Sequence, residues 1–304
     1  MTDTIIRALI EIVGKDSAFI NEPMSKHTTF KIGGEADILL EPDSAECLLA
    51  VLKILKENNC PYFVMGNGSN LLVADRGIRG AVIKISNSMA SASLDGEYIE
   101  AECGIKLSRL SGIAQSASLA GLEFASGIPG TLGGALFMNA GAYGGEMKDV
   151  VESVTYLDVE SGEVKTISGD ECNFGYRHSI FSEIDAVILS ARLKLMVGNA
   201  AEIRETMNEL AAKRNEKQPV DKPSAGSTFK RPEGHFAGTM IQDCGLKGYR
   251  IGGAEVSVKH AGFIINAGGA TAKDVGDLIA YVQDTVEDKF SVRLEPEVRF
   301  VGEF

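Results

Sequence analysis

Several features are scarce in this chain of 304 residues, and each scarcity removes a class of function. There is no concentrated run of Lys or Arg, and the formal net charge is −12, so the basic face that a nucleic-acid partner needs is missing. The longest apolar runs, 78–85 and 186–197, are interrupted by charge and too short to span a bilayer, so no membrane association is expected. The opening MTDTIIRALIEIVGKD carries acids among its apolar residues and has neither a basic start nor a small-residue cleavage site; an amphipathic helix is expected there, not a secretion signal. The five cysteines (Cys47, Cys60, Cys103, Cys172, Cys244) are odd in number and contain no Cys-x-x-Cys pair, which points to a reducing, cytoplasmic setting and away from structural zinc. His27, His178, His235 and His260 are equally scattered, so no metal site is expected. Oligomeric state leaves no mark on the sequence.

What the chain has in quantity is glycine. Residues 127–147, GIPGTLGGALFMNAGAYGGEM, hold seven of its 34 glycines. Glycine lets another group approach the main chain where a Cβ would block it, at an entropic cost, and successive backbone N–H groups in such bends form concavities that hold an anion without lysine. Between these glycines, residues 135–138 are expected to form one buried turn or strand, followed by an anion-accepting bend at Asn139–Gly141. A second glycine-rich loop, GNGSNLLV at 66–73, resembles the dinucleotide fingerprint only superficially. Leu71 stands where the third glycine belongs and a strand follows where a helix should, so a Rossmann fold is rejected. Taken singly, each loop also fits an ordinary turn.

With 44% hydrophobic and 24% charged residues the chain is ordinary globular, with length for two domains or one large one. Helical spacing predicts helices ending at Gly14, over 44–58 with Ser44 as N-cap, over 106–120 ended by Gly121, and from Asn199 to about 214. Thr271 with Asp274 reads as a capping box opening another. Strands are expected at 36–40, 62–65, 81–85, 98–101, 154–159, 164–167, 186–197 and 263–266, the longest with Val187, Leu189, Ala191, Leu193, Leu195 and Val197 alternating with Ser190, Arg192 and Lys194. Residues 218–223, bounded by two prolines, are expected to be extended. At 292–300 an edge strand is expected, with Pro296 at its edge or a bulge and Glu295 and Glu297 on its charged face. Helices and strands mix without regular βαβ alternation, so the fold class is α+β.

Taken together, the stretches KHTTFKIGG, GNGSNLL, GIPGTLGGALFMNAGAYGGEM, FGYRHSIF, AGSTFKRP and LEPEVRFVG resemble the UDP-N-acetylenolpyruvoylglucosamine reductases, from about residue 26 to 302. The chain is similar to the shorter branch of that family, because no room follows Arg177 for the extra tyrosine-bearing loop. The resemblance implies an FAD-binding fold of the vanillyl-alcohol-oxidase/PCMH-like type: a two-part flavin domain (1–80, completed by a terminal strand at 291–304, and 81–198) and a C-terminal α+β substrate domain (199–290). It implies NADPH-dependent, FAD-mediated reduction of UDP-N-acetylglucosamine enolpyruvate to UDP-N-acetylmuramate, a step in peptidoglycan precursor synthesis. By the same resemblance Arg177, Ser227 and Glu297 are the catalytic candidates. FAD would lie on Gly66, Asn67, Gly68, Ser69 and Asn70, and on Gly127, Ile128, Pro129, Gly130, Thr131, Gly133, Gly134, Asn139, Gly141 and Ala142, with Arg214 nearby. Lys217, Arg231, His260 and Asn266 match substrate contacts, Arg231 standing where other members can carry an amide. The competing readings are a flavin-dependent oxidase of the same superfamily, and a flavin or nucleotide-sugar binding protein without turnover.

Overall fold

Alternation decides the largest sheet. In the strand Ala186–Lys194, Val187, Leu189, Ala191 and Leu193 are buried while Ser190, Arg192 and Lys194 are more open, the period of two that a pleated strand imposes, with Ile188 buried on the second face near the start. The computed structural model, which describes residues 1–304, makes this strand the middle of a five-stranded antiparallel sheet. Its order is Val164–Ser168, Val151–Asp158, Ala186–Lys194, Tyr98–Glu102, Ala92–Asp95. Arg192 reaches Glu100 at 2.9 Å and Asp95 at 3.1 Å and lies 4.2 Å over the Tyr98 ring. The expected strand 186–197 is broken at Leu195, whose N–H turns to Glu97 O, and Met196–Val197 pair instead with Leu119–Ala120.

The chain divides into two compact units, residues 1–19, 38–67 and 80–213 in the first and 20–37, 68–79 and 214–304 in the second. Each has its own apolar core. That of the first gathers Leu48, Val51, Leu52 and Leu55 with Ile83, Ile99, Leu110, Leu136 and Leu193; that of the second gathers Phe30, Ile32 and Leu72 with Phe229, Leu278, Val282 and Val298.

In the first unit helix α1 (Asp3–Val13) stops at Gly14, whose N–H returns to Ile10 O at 2.9 Å. Helix α2 (Ala45–Glu57) starts at Ser44, which accepts from Cys47 N–H as an N-cap should. Tyr62–Met65 pairs in parallel with residues 81–84. Helix α3 (Leu107–Ser116) ends short of Gly121 because Ser118 takes the left-handed conformation and the chain leaves to form the small strand Leu119–Ala120. Residues 132–137, expected in part as a turn or strand, form helix α4 (Leu132–Phe137). The buried Leu132, Ala135 and Leu136 recur at i, i+3 and i+4, a helical face that the glycines around it obscured. Helix α5 (Ala200–Lys217), which belongs to this unit up to residue 213, is opened by Asn199, whose Oδ1 accepts from Ala201 N–H at 2.8 Å.

In the second unit Leu71–Val73 pairs in parallel with Arg299–Val301, and Arg250–Ile251, Ala254–Val256 and Ile264–Asn266 form an antiparallel sheet. Helices α6 (Ala237–Asp243) and α7 (Ala272–Phe290) complete it, α7 with the Thr271/Asp274 capping box in place. The terminal strand is shorter than expected, at Arg299–Val301 only. Upstream, Pro296 bridges Phe229 between the bonds Lys230 N–H to Glu295 O and Glu297 N–H to Thr228 O. That is the non-hydrogen-bonded register, in which a proline's missing N–H removes nothing. Residues 219–222 form a turn, Lys222 N–H donating to Pro219 O at 3.1 Å, where extended chain was expected. The architecture is α+β, and no helix is long and apolar enough to cross a membrane.

Candidate active site

The glycine-rich stretches of the first unit meet at Thr131. A Cβ on Gly66 would stand 2.2 Å from Thr131 Oγ1, and one on Gly133 would stand 2.9 Å from Cys103 Cβ, so both positions are bare because the chain packs against itself. Asn67 Nδ2 donates to Pro129 O at 2.5 Å, tying the first loop to the exposed bend at 127–130, where Gly130 O accepts from Leu107 N–H and Ile128 N–H reaches Ala125 O. Gly134 is different. It is exposed inside α4, and a Cβ there would touch only Thr131 Oγ1, at 3.8 Å. A helix-interior glycine costs ~1 kcal/mol relative to alanine, and nothing in the fold itself requires it. Bare backbone on an open helix face fits the close approach of a flat or phosphorylated cofactor.

Beyond α4 the chain bends through Asn139 (φ +44°) into a short hairpin, Gly141 and Ala142 pairing with Glu146 and Gly145. Asn139 is fully buried and its amide is engaged within the protein: Nδ2 donates to Glu146 Oε2 at 2.6 Å and Gly175 O at 3.0 Å, and Oδ1 accepts from Lys148 N–H at 2.9 Å. Gly175 opens the turn that carries Arg177, whose guanidinium lies 5.0 Å from the Tyr176 ring centroid.

In the second unit Gly68 is buried with φ +62°, Ser69 is half-buried, and Asn70 Nδ2 donates to Glu297 O at 3.0 Å while Asn70 O accepts from Arg299 N–H at 2.9 Å. Glu297 N–H donates to Thr228 O at 2.8 Å, so the segment carrying Glu297 runs beside the one carrying Ser227. Thr228 is buried, and its Oγ1 accepts from Ile264 N–H at 2.9 Å. Ser227 itself follows Gly226 (φ +78°) and remains half-buried. Asn266 Oδ1 accepts from the N–H groups of Gly268 and Ala270, and its Nδ2 reaches Phe30 O at 3.3 Å.

His260 packs edge-on to Phe263 at 5.1 Å, between Gly238 and Gly262, where a Cβ would come within 3.1 Å and 3.0 Å of its ring. Burial pushes its pKa down, with the Lys247 charge adding to the effect. Gly262 N–H donates to Nδ1 at 3.1 Å, which leaves the neutral ring its proton on Nε2 and makes that atom a donor. Arg231 is exposed and stacks 4.0 Å over Phe236, an exposed aromatic that sequence reasoning passed over. Arg214 and Lys217 stand one turn apart at the end of α5, Lys217 exposed.

The structure thus joins Gly66, Asn67, Pro129 and Thr131 in one unit, and Asn70, Glu297 and the neighbour of Ser227 in the other. Sequence reasoning missed Thr228 and Ser179; the available signal was their adjacency to Ser227 and to the Tyr-Arg-His motif.

Residues 36–168 match the family model of the FAD binding domain, and residues 218–301 match that of the UDP-N-acetylenolpyruvoylglucosamine reductase C-terminal domain. The fold is that of the vanillyl-alcohol-oxidase/PCMH-like FAD-binding oxidoreductases, carrying a C-terminal substrate domain. The chain is 52% identical over 303 residues, covering 100% of both sequences, to the UDP-N-acetylenolpyruvoylglucosamine reductase of Caldanaerobacter subterraneus subsp. tengcongensis. It is 52% identical over 297 residues, 98% of this chain and 97% of the other, to that of Alkaliphilus oremlandii. The crystal structure of the Thermus caldophilus reductase superposes with a TM-score of 0.80 at 35% identity, over 93% of this chain and 98% of that one. The chain belongs to the UDP-N-acetylenolpyruvoylglucosamine reductase family.

Proposed function

We propose that this chain reduces the enolpyruvyl ether of UDP-N-acetylglucosamine enolpyruvate to the lactyl ether of UDP-N-acetylmuramate, in the cytoplasm, with NADPH as the source of reducing equivalents. FAD, when bound, supplies a two-electron relay between NADPH and the vinyl carbon of the substrate. Residues 1–80 with 291–304, and 81–198, hold this cofactor in the proposal, and 199–290 hold the nucleotide sugar. In the proposal Gly66, Asn67 and the 127–134 segment line the cofactor, and Gly134 offers it open backbone, consistent with a net charge of −12 that leaves few cations to spare.

Addition of hydride at the methylene carbon leaves enediolate-like charge on the carboxyl end of the substrate, which must meet preorganised donors. Arg177 supplies a guanidinium, and Glu297, kept protonated, supplies a neutral hydrogen bond. Ser227 Oγ then hands its proton to the carbon α to the carboxylate; a hydroxyl is a weak acid, so tight placement is essential. His260 Nε2–H, Asn266, Lys217 and Arg231 orient the nucleotide, His260 as an uncharged donor.

The observation that carries the reading is the bond from Glu297 N–H to Thr228 O, which sets the segments of the acid and the proton donor side by side within one unit. An oxidase acting on an alcohol has no use for that pairing. The test separates the two half-reactions. In Ser227→Ala, bleaching of the visible flavin band by NADPH is expected to proceed normally while steady-state turnover with the enolpyruvyl nucleotide falls by orders of magnitude. Turnover near wild type would overturn the role of Ser227, and purified protein that stays colourless on addition of FAD would overturn the flavin reading altogether.

A further inference from the structure

Arg177 occupies a backbone position that suits few L-residues. It is the second central residue of a two-residue turn closed by Gly175 N–H to His178 O (3.0 Å) and His178 N–H to Gly175 O (3.3 Å), and its φ is +56°. A turn of this kind usually gives that position to Gly or Asn, because a Cβ crowds the backbone there. Such a conformation persists where surrounding bonds over-determine it.

Here the bonds come from both ends of the turn. Asn139, fully buried, donates from Nδ2 to Gly175 O at 3.0 Å. Ser179, also fully buried, donates from Oγ to Phe137 O at 2.7 Å. His178 is held at Nε2 by Glu183 Oε1 (2.7 Å) and at Nδ1 by Asn173 O (3.2 Å). Two of these pins, those of Asn139 and Ser179, lead to one place: the bend at 137–139 that leaves α4, the helix whose open face carries Gly134. The remaining bonds of Asn139, to Glu146 and Lys148, anchor that bend to the hairpin beyond it. A buried amide that spends three hydrogen bonds on its own chain serves geometry better than it serves a ligand.

We propose that Asn139 and Ser179 are positioning residues for the reduction: they lock the 175–178 turn onto the bend after α4 and thereby aim the Arg177 guanidinium at the developing carboxylate charge. This rests on the role given to Arg177 above. The glycine-rich stretch then has two duties, a face for the cofactor and a mount for the arginine.

A double-mutant cycle on the flavin-loaded enzyme tests it. In Ser179→Ala, reduction of the flavin by NADPH is expected to stay within about twofold of wild type, and in Ser179→Ala and Asn139→Ala alike reoxidation by the enolpyruvyl nucleotide slows about ten- to hundredfold. In an Arg177→Ala background the same changes are expected to cost almost nothing more, since the group they hold is gone. If each still slows reoxidation by its full factor in that background, they do not act through Arg177 and the proposal is overturned while the role of Arg177 stands. If Arg177→Ala alone leaves reoxidation unchanged, the role of Arg177 fails and the proposal with it. Should Asn139→Ala lose its flavin, the Ser179→Ala arm decides the matter by itself.

Discussion

Gly134 separates two duties that glycine performs in this chain. Gly66 and Gly133 are bare because neighbouring atoms leave no room, whereas Gly134 has open space on a helix. Replacing it by alanine removes backbone entropy from the unfolded chain and should stabilise the flavin-free protein by up to ~1 kcal/mol. The same methyl should stand in the way of the cofactor and weaken FAD binding by about tenfold or more, equivalent to ~1.4 kcal/mol. Opposite signs in chemical denaturation and in flavin titration are the expected result; unchanged flavin affinity would mean that the cofactor does not approach this face. Asn139 and Asn70 illustrate the limit of reading residues singly. Both donate their amides to backbone carbonyls far along the chain, at Gly175 and Glu297. Nothing local in the sequence announces a partner 36 or 227 positions away.

Among the elements, α7 is the one whose entry was written most plainly in the sequence. Thr271 Oγ1 accepts from Asp274 N–H and Asp274 Oδ2 accepts from Thr271 N–H, each at 3.0 Å, and Gly253 N–H adds a third bond to that carboxylate at 3.1 Å. Thr271→Ala should cost about 1 kcal/mol in urea unfolding at neutral pH. The backbone N–H of Thr271 holds the Asp274 carboxyl below its ordinary range, against the opposing effect of burial and with help from Gly253. A carboxyl lowered in the folded state contributes stability that is present above the unfolded pKa and is lost as pH falls through the folded value. The advantage of wild type over Asp274→Asn should therefore be full at neutral pH and shrink on the acid side; an advantage that grew on acidification would contradict the assignment. Ser44, Gly14 and Asn199 were legible for the same reason, since a cap involves residues within one turn of each other. Helix α4 was not, because its glycines masked the spacing of Leu132, Ala135 and Leu136. Alternation over 292–300 predicts one strand, whereas the chain makes an isolated antiparallel bridge from Pro296 to Phe229 and then a separate parallel strand at Arg299–Val301, a change of partner that alternation does not encode.

At the scale of the whole molecule, the apolar residues of the second core come from three separate stretches of chain. Phe30, Ile32 and Leu72 lie in short excursions, 20–37 and 68–79, and pack with residues from 225 to 298. A fragment of residues 1–213 carries every segment of the first unit, yet it leaves those three side chains without the core that buries them. It is expected to bind a hydrophobic dye and to aggregate on purification; a soluble, monodisperse fragment with native flavin absorbance would show that the excursions tolerate solvent. Alternation and capping allowed the first core to be anticipated, because its strands and helices follow each other closely. The second required knowledge of pairings that span most of the chain. The parallel pairing of Leu71–Val73 with Arg299–Val301 has a consequence for biosynthesis. The earlier strand leaves the ribosome more than two hundred residues ahead of its partner, a delay of tens of seconds at ~5–20 residues per second. Throughout that wait the edge that Arg299–Val301 will cover has no partner from its own chain, so a nascent chain stalled before residue 299 is expected to aggregate more readily than the released protein.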